Sequence, residues 1–159
     1  MQAASSSPVS LRIIRVLRAS PERVYRAWTV PGELRRWFAA GEGYTTPIAE
    51  VDLRVGGRFR VGMQAPGGGR LSVASGTYAE IVPGARLVFS WRWEHDGPAA
   101  PTTRLRLEFR PHPLGTEFIL IHEGLADQAT REQHITGWQE CLDSLERLLA
   151  KSDSELEER

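Results

Sequence analysis

Histidine and cysteine are the side chains of this sequence with the greatest potential for chemistry. His122 lies on a predicted strand, on the face that Phe118 and Leu120 also occupy, and it interrupts the apolar pattern of that face. Two interpretations stay open: a polar anchor deep in an apolar ligand pocket, or a core histidine whose hydrogen bonds are satisfied internally. His134 lies four residues before Trp138 on the same predicted helical face, so it borders a cavity mouth or lies on the surface.

Other reactive arrangements are missing from the sequence. Cys141 is the only cysteine, which excludes an intrachain disulfide, and its place on an apolar helical stripe is typical of a small buried side chain. No two histidines have the spacing of zinc ligands, and Gly67–Gly69 lacks the Lys-Ser/Thr ending of a phosphate-binding loop. His122 and Glu123 are adjacent on a strand and therefore face opposite sides. We predict no metal, no cofactor and no catalytic residue.

Length and composition indicate one globular domain. The chain has 159 residues, of which 41% are hydrophobic and 25% are charged. Basic and acidic residues balance at 20 each, which gives no reason to expect nucleic acid as a partner. No stretch approaches the roughly 20 apolar residues of a membrane span, and Met1–Ser10 lacks the apolar core of a signal peptide. A cytoplasmic location is therefore the expectation.

The first part of the domain is predicted as one strand and two short helices. Leu11–Arg18 is the strand. Three residues indicate the start of the first helix. Ser20 has a hydroxyl that can cap it, Pro21 suits its first position, and Glu22 is favourable at the positive end of its dipole. Pro31 can open the second helix, whose apolar residues are Leu34, Trp37 and Phe38.

A run of strands follows, in which apolar residues recur at every second position. The predicted strands are Ile48–Val55, Arg58–Gln64, Leu71–Val82, Arg86–Glu94, Thr103–Arg110 and Thr116–Glu123. Their apolar faces are rich in aromatic residues, and such walls either pack solid or frame a cavity.

A long amphipathic helix is predicted at the C-terminal end, capped by Asp127 or Thr130. Its apolar stripe consists of Trp138, Cys141, Leu142, Leu145, Leu148 and Leu149. Gly137 lies inside this helix, where it costs about 1 kcal/mol relative to alanine. Its presence indicates either a close backbone approach or space left for another group.

These elements predict an α+β fold. A curved antiparallel sheet of six to seven strands wraps on the long C-terminal helix, with two short helices after the first strand. We expect residues 1–9 to be disordered, residues 10–151 to form a single domain, and residues 152–159 to form a polar tail that frays.

The order of short motifs resembles the AHSA-like proteins, which are homologues of the activator of the heat-shock-protein-90 ATPase. The motifs cover nearly the whole chain, and each is weak alone. They are Ser20–Trp28 with Leu34–Phe38, Val51–Phe59, Gly76–Tyr78 with Glu80–Pro83 and Arg86–Trp91, Thr116–Phe118 with His122–Leu125, and His134 with Gly137 and Trp138. The resemblance implies a START-like, helix-grip fold of the SRPBCC superfamily, with a cavity between the sheet and the long helix.

The resemblance does not imply one activity, because fold and function separate readily in such families. The first hypothesis is a binding module for a small apolar or aromatic molecule. The expected lining is Trp37, Phe38, Phe59, Met63, Tyr78, Phe89, Trp91, Trp93, His122 and Trp138. The alternatives are a protein-interaction module, chaperone-linked or homodimeric, a polyketide-cyclase-like enzyme that would depend on His122, and a stress or regulatory role. The true chaperone activators carry a further N-terminal domain, which weighs against chaperone activation here.

Overall fold

The computed structural model describes residues 8–97 and 101–157. The strands of this part are β1 (Val9–Leu17), β2 (Thr45–Val51), β3 (Arg58–Gln64), β4 (Leu71–Val82), β5 (Arg86–Trp93), β6 (Thr103–His112) and β7 (Gly115–Leu125). Its α-helices are α1 (Pro21–Thr29), α2 (Pro31–Trp37) and α3 (Gln128–Glu157). The strands form one antiparallel sheet in the order β1-β7-β6-β5-β4-β3-β2. The predicted α+β helix-grip fold is confirmed.

Side chains cap the first and the last helix, as the sequence predicts. Ser20 Oγ accepts a hydrogen bond of 3.1 Å from the backbone N–H of Arg23 at the start of α1. Of the two capping alternatives for α3, the structure selects Asp127, whose Oδ1 accepts a hydrogen bond of 2.8 Å from the N–H of Thr130. These bonds satisfy amide groups that have no partner within the helix.

The core lies between one face of the sheet and the apolar stripe of α3. Every residue of that predicted stripe is buried, from Trp138 to Leu149. At the sheet edge, Arg15 of β1 forms ion pairs of 2.9 Å with Asp143 and Glu146 of α3. Trp37 joins α2 to α1, because its indole N–H donates a hydrogen bond of 2.8 Å to the carbonyl of Ala27. The short helices therefore form one unit beside the long one.

Five of the seven strands differ from their predicted bounds at one or both ends, and β2 differs most. β2 ends at Val51 instead of residue 55, and the chain then turns back at Asp52–Gly57. The turn is tight, because the N–H of Gly57 bonds to the carbonyl of Arg54 at 2.8 Å and a Cβ on Gly57 would lie 2.0 Å from the oxygen of Asp52. Only glycine fits that position.

Two elements reach beyond residues 10–151, the predicted bounds of the domain. β1 begins at Val9, inside the segment predicted to be disordered, and residues 1–7 of that segment lie outside the described residues. α3 continues to Glu157, beyond the predicted domain boundary at residue 151. Within the described part of the chain, no helix is long and apolar enough to cross a membrane.

Candidate functional site

A cavity of about 270 Å³ lies between the sheet and α3, and we name it the inner cavity. Strands β3, β4 and β5 form one wall, α3 forms the opposite wall, and the segment that follows α2 closes one end. The lining consists of Phe38, Ala40, Tyr44, Met63, Ser72, Trp91, Trp93, Gln133, His134, Gly137, Trp138 and Cys141. Most of these side chains are apolar, which is typical of pockets for small molecules.

Regular periodicity places the side chains that line this cavity. Trp91 and Trp93 are two residues apart on β5 and therefore share a face of the sheet. On α3, His134, Trp138 and Cys141 follow one another at helical spacings of four and three residues. The two elements thus present their aromatic side chains to each other.

Gly137 leaves part of this space open. A Cβ built on it meets no atom within 4 Å, so the backbone of α3 makes no close approach there. Of the two explanations for a glycine inside the helix, the structure supports unfilled space and excludes a tight backbone contact.

Aromatic rings pack against one another around the inner cavity. The ring centroids of Trp91 and Trp138 lie 5.2 Å apart, and Phe38 meets Trp138 edge-on at 5.9 Å. Trp91 also contacts Trp93 edge-on at 5.5 Å. Aromatic pairs in such contacts contribute about 0.5–1.5 kcal/mol each beyond the burial of their area, so they stabilise the wall.

His122 is fully buried, and both of its ring nitrogens have partners. The indole N–H of Trp138 donates a hydrogen bond of 3.1 Å to Nδ1. Nε2 therefore carries the proton and donates to Thr103 Oγ1 at 2.7 Å, while the Thr103 hydroxyl donates to the carbonyl of Trp91 at 2.9 Å. The geometry supports the interpretation of His122 as a satisfied core histidine.

Burial holds His122 in its neutral form. Loss of solvation lowers its pKa from 6.5 to about 3, and the neighbouring His134 adds to the shift. The rings of the two histidines are perpendicular, with centroids 5.0 Å apart. An acid–base role would need a nitrogen of His122 that faces a substrate, and the hydrogen bonds engage both nitrogens.

His134 joins α3 to the sheet. Its Nε2 accepts a hydrogen bond of 3.2 Å from the indole N–H of Trp93. Its Nδ1 is therefore the protonated nitrogen and donates to the carbonyl of Thr130 at 2.9 Å. His134 is half-buried, so it lies at a cavity boundary instead of on the open surface.

A second cavity of about 420 Å³ adjoins the first, and we name it the outer cavity. It shares five residues with the inner cavity: Ser72, Trp91, Trp93, Gln133 and His134. Its other walls are more polar and include Arg70 and Thr130. The hydrogen-bonded pair of Trp93 and His134 therefore lies on the boundary between the two cavities.

Cys141 borders the inner cavity with an unreactive thiol. Its side chain is buried, and burial raises the pKa of the thiol to about 12. The protonated form therefore dominates at neutral pH, and the thiolate is the nucleophilic form. Among the described residues, no group of His, Cys, Asp and Glu side chains is arranged to hold a metal ion.

Five of the ten side chains predicted as ligand contacts line the inner cavity: Phe38, Met63, Trp91, Trp93 and Trp138. The other five are buried in the core outside the lining: Trp37, Phe59, Tyr78, Phe89 and His122. A role in binding stays a prediction for all ten.

Sequence reasoning did not include Ala40, Tyr44, Ser72 and Gln133, which also line the cavity. Ala40 and Tyr44 lie in the loop between α2 and β2, where no periodicity indicates direction. Ser72 was detectable, because it shares the strand face of Ala74 two residues away.

Comparisons with known proteins agree with the motifs described above. The model of the family "Activator of Hsp90 ATPase homolog 1-like protein" matches residues 18–150. The chain belongs to this family. No curated protein gives a significant match.

Solved structures of similar proteins have the same fold. Protein CV1439 from Chromobacterium violaceum is 33% identical, with 88% of this chain and 96% of that chain covered and a TM-score of 0.79. The AHSA1-like protein from Aeromonas hydrophila is 27% identical, with 91% and 94% covered and a TM-score of 0.76. The AHSA1 protein SPO3351 from Silicibacter pomeroyi is 25% identical, with 91% and 99% covered and a TM-score of 0.79. Family and fold indicate a helix-grip module that binds a ligand or another protein.

Proposed function

We propose that this AHSA1-like protein binds a small apolar ligand with an aromatic ring in the inner cavity. The observation that carries the proposal is an aromatic-walled space of about 270 Å³ that Gly137 leaves open. A glycine inside a helix costs stability of about 1 kcal/mol relative to alanine. Ligand binding explains why a glycine stands here despite that loss of stability, because an alanine methyl group would occupy part of the space.

The volume of the inner cavity indicates the size of the ring system that it accommodates. An apolar cavity of about 150 Å³ accommodates benzene. The inner cavity has a volume of about 270 Å³, which is less than twice as large. Two fused rings or a ring with a short substituent therefore match its volume.

Trp91, a residue of the lining, carries a buried hydrogen-bond donor. The indole N–H of Trp91 is buried and has no hydrogen-bond partner among residues 8–97 and 101–157. Buried donors of this kind are rare in native structures, and each calls for an explanation. The Trp91 ring must turn before a ligand oxygen can reach this N–H. The aromatic space therefore carries the proposal, and an oxygen on the ligand is an additional contact to be tested.

Binding of 2-naphthol, measured by isothermal titration calorimetry, tests the proposal. We expect the natural sequence to bind it and Gly137→Leu to bind it at least tenfold more weakly, because the leucine side chain enters the cavity. Thr136→Leu is the matched control, since it adds the same side chain at an exposed position of the same helix. Equal affinity of all three proteins, or no binding by the natural sequence, would contradict the proposal.

The natural ligand can be sought directly. Native mass spectrometry of the protein purified from its own cells reports the mass of any apolar compound that co-purifies. We expect that compound to be absent from Gly137→Leu purified in the same way and present in Thr136→Leu. An additional mass retained equally by all three proteins would place the compound elsewhere on the molecule.

A protein-interaction role is the second candidate, and one surface feature favours it. Leu53 and Val55 are 41% and 65% exposed in the turn between β2 and β3. Apolar side chains at an exposed loop tip are suited to contact with a partner. A pull-down from the protein's own cells should then recover a partner with the natural sequence and lose it with the double variant Leu53→Ser, Val55→Ser.

A further inference from the structure

Five residues line both cavities, and one side-chain hydrogen bond among them joins the sheet to the helix. Trp93 belongs to β5 and His134 to α3, and the bond of 3.2 Å between their side chains joins the sheet to the helix. Both residues line the inner cavity and the outer cavity. A molecule that occupies both cavities therefore contacts this pair together with Ser72, Trp91 and Gln133, which line both cavities as well.

The volumes of the two cavities indicate that this boundary determines how much space a ligand can use. Pockets for small molecules usually measure roughly 300–1,000 Å³. The inner cavity, at about 270 Å³, falls just below that range. The outer cavity adds about 420 Å³, so the joined space lies well within the range.

The two cavities differ in chemical character. Phe38, Met63 and Trp138 line only the inner one, and all three are apolar or aromatic. Arg70 and Thr130 line only the outer one. Arg70 is exposed and has no ion pair among the described residues. The joined space therefore suits a molecule with an aromatic end and a polar end.

We infer that the Trp93–His134 pair is a gate that sets the length of ligand the protein accepts, and that the outer cavity takes the polar end of an elongated amphipathic ligand. This inference rests on the proposed function of the inner cavity. The physical basis is the small net contribution of a neutral hydrogen bond, which changes an equilibrium by roughly twofold to tenfold. Contacts of a longer ligand can offset a change of that size, so the gate opens for long ligands and stays closed with short ones.

The pair determines which ligand lengths the protein accepts, and other residues hold the aromatic end of the ligand. His134 keeps its second hydrogen bond to the carbonyl of Thr130, which lies on its own helix. Trp93 keeps its edge contact with Trp91 on its own strand. Each side chain therefore has a support of its own when the bond between them breaks.

The test compares 2-naphthol with its ω-hydroxyalkyl ethers of two to eight carbons by isothermal titration calorimetry. His134→Ala removes the helix side of the gate, and Trp93→Phe keeps an aromatic ring but removes the N–H. We expect both variants to bind the six- and eight-carbon ethers about twofold to tenfold more tightly than the natural sequence does. Both residues also line the inner cavity, so the readout is the ratio of the affinity for the long ethers to the affinity for 2-naphthol, which should rise in both variants. His112→Ala, a distant histidine substitution, should leave the whole series unchanged.

A spectroscopic measurement reports the gate itself. The indole N–H signal of Trp93 in an ¹⁵N-labelled sample, assigned by its absence from Trp93→Phe, should shift with the long ethers and stay in place with 2-naphthol. Equal changes in affinity for short and long ligands, or no gain for the long ethers in either variant, would overturn the gate and leave the proposed function intact. Failure of the natural sequence to bind any member of the series would overturn both.

Discussion

The indole N–H of Trp138 donates a hydrogen bond of 3.1 Å to Nδ1 of His122, and this contact decides how the histidine behaves. It directs the ring proton to Nε2, which bonds to Thr103. A helix residue, a β7 residue and a β6 residue are thereby joined inside the core. Such a network stabilises the domain only when every member has its partner.

Substitution of Thr103 tests this network. Thr103→Val keeps the shape of the side chain but leaves Nε2–H of His122 without its acceptor. We expect the free energy of unfolding to fall by about 1–3 kcal/mol, the cost of an unsatisfied buried polar group. Urea denaturation measures the change. Thr103→Ser is the matched control, because it retains the hydroxyl and should cost less than Thr103→Val; the reverse order would contradict the network.

The low pKa of His122 predicts a stability that depends on pH. The folded protein keeps this side chain neutral down to a pKa of about 3, whereas in the unfolded chain its pKa lies near 6.5. The unfolded state therefore binds one more proton between these values, and stability is lost as pH falls through this window. The slope approaches about 1.4 kcal/mol per pH unit.

Urea denaturation at pH 7 and pH 5 checks this prediction, because the window begins above the range where carboxylates titrate. His122→Gln should be less stable at pH 7 and show a smaller loss between the two pH values. Equal losses for the natural sequence and His122→Gln would mean that another group carries the pH dependence.

Two glycines should respond in opposite ways to the same substitution. A Cβ on Gly76 would lie 1.7 Å from the carbonyl oxygen of Ser90, so Gly76→Ala should destabilise the domain by about 3 kcal/mol or more. Gly137→Ala meets no atom within 4 Å and should stabilise α3 by about 0.5–1 kcal/mol. Thermal unfolding measures both, and a lower Tm for Gly137→Ala would contradict the open space described at this position.

The single thiol offers a chemical measure of the closed core. Burial raises the pKa of Cys141 to about 12, so very little thiolate is present at pH 8. We expect a thiol reagent such as 5,5′-dithiobis(2-nitrobenzoate) to react about a thousandfold more slowly with the folded protein than with the protein in urea. Cys141→Ser provides the blank, since the chain has one cysteine. Rates within tenfold of each other would show that the site opens readily.

The sequence by itself determined the order of the elements and the bounds of two strands. Alternation at every second residue predicted β3 and β4 at the bounds that the structure has, because side chains of a strand alternate between faces wherever one face is buried. The cap at Ser20 was predictable because capping acts between residues a few positions apart. These features depend on residues close together in the sequence. The order of the motifs along the chain also indicated the family.

Only the tertiary structure decided which aromatic side chains line a cavity and which pack solid. Phe89 and Trp91 alternate on the same face of β5, yet Trp91 lines the inner cavity and Phe89 lies outside it. Periodicity gives the face of a strand, but the position of α3 over the sheet decides where space remains along it. The bond between Trp93 and His134 joins residues 41 positions apart, and no local pattern predicts a partner at that distance.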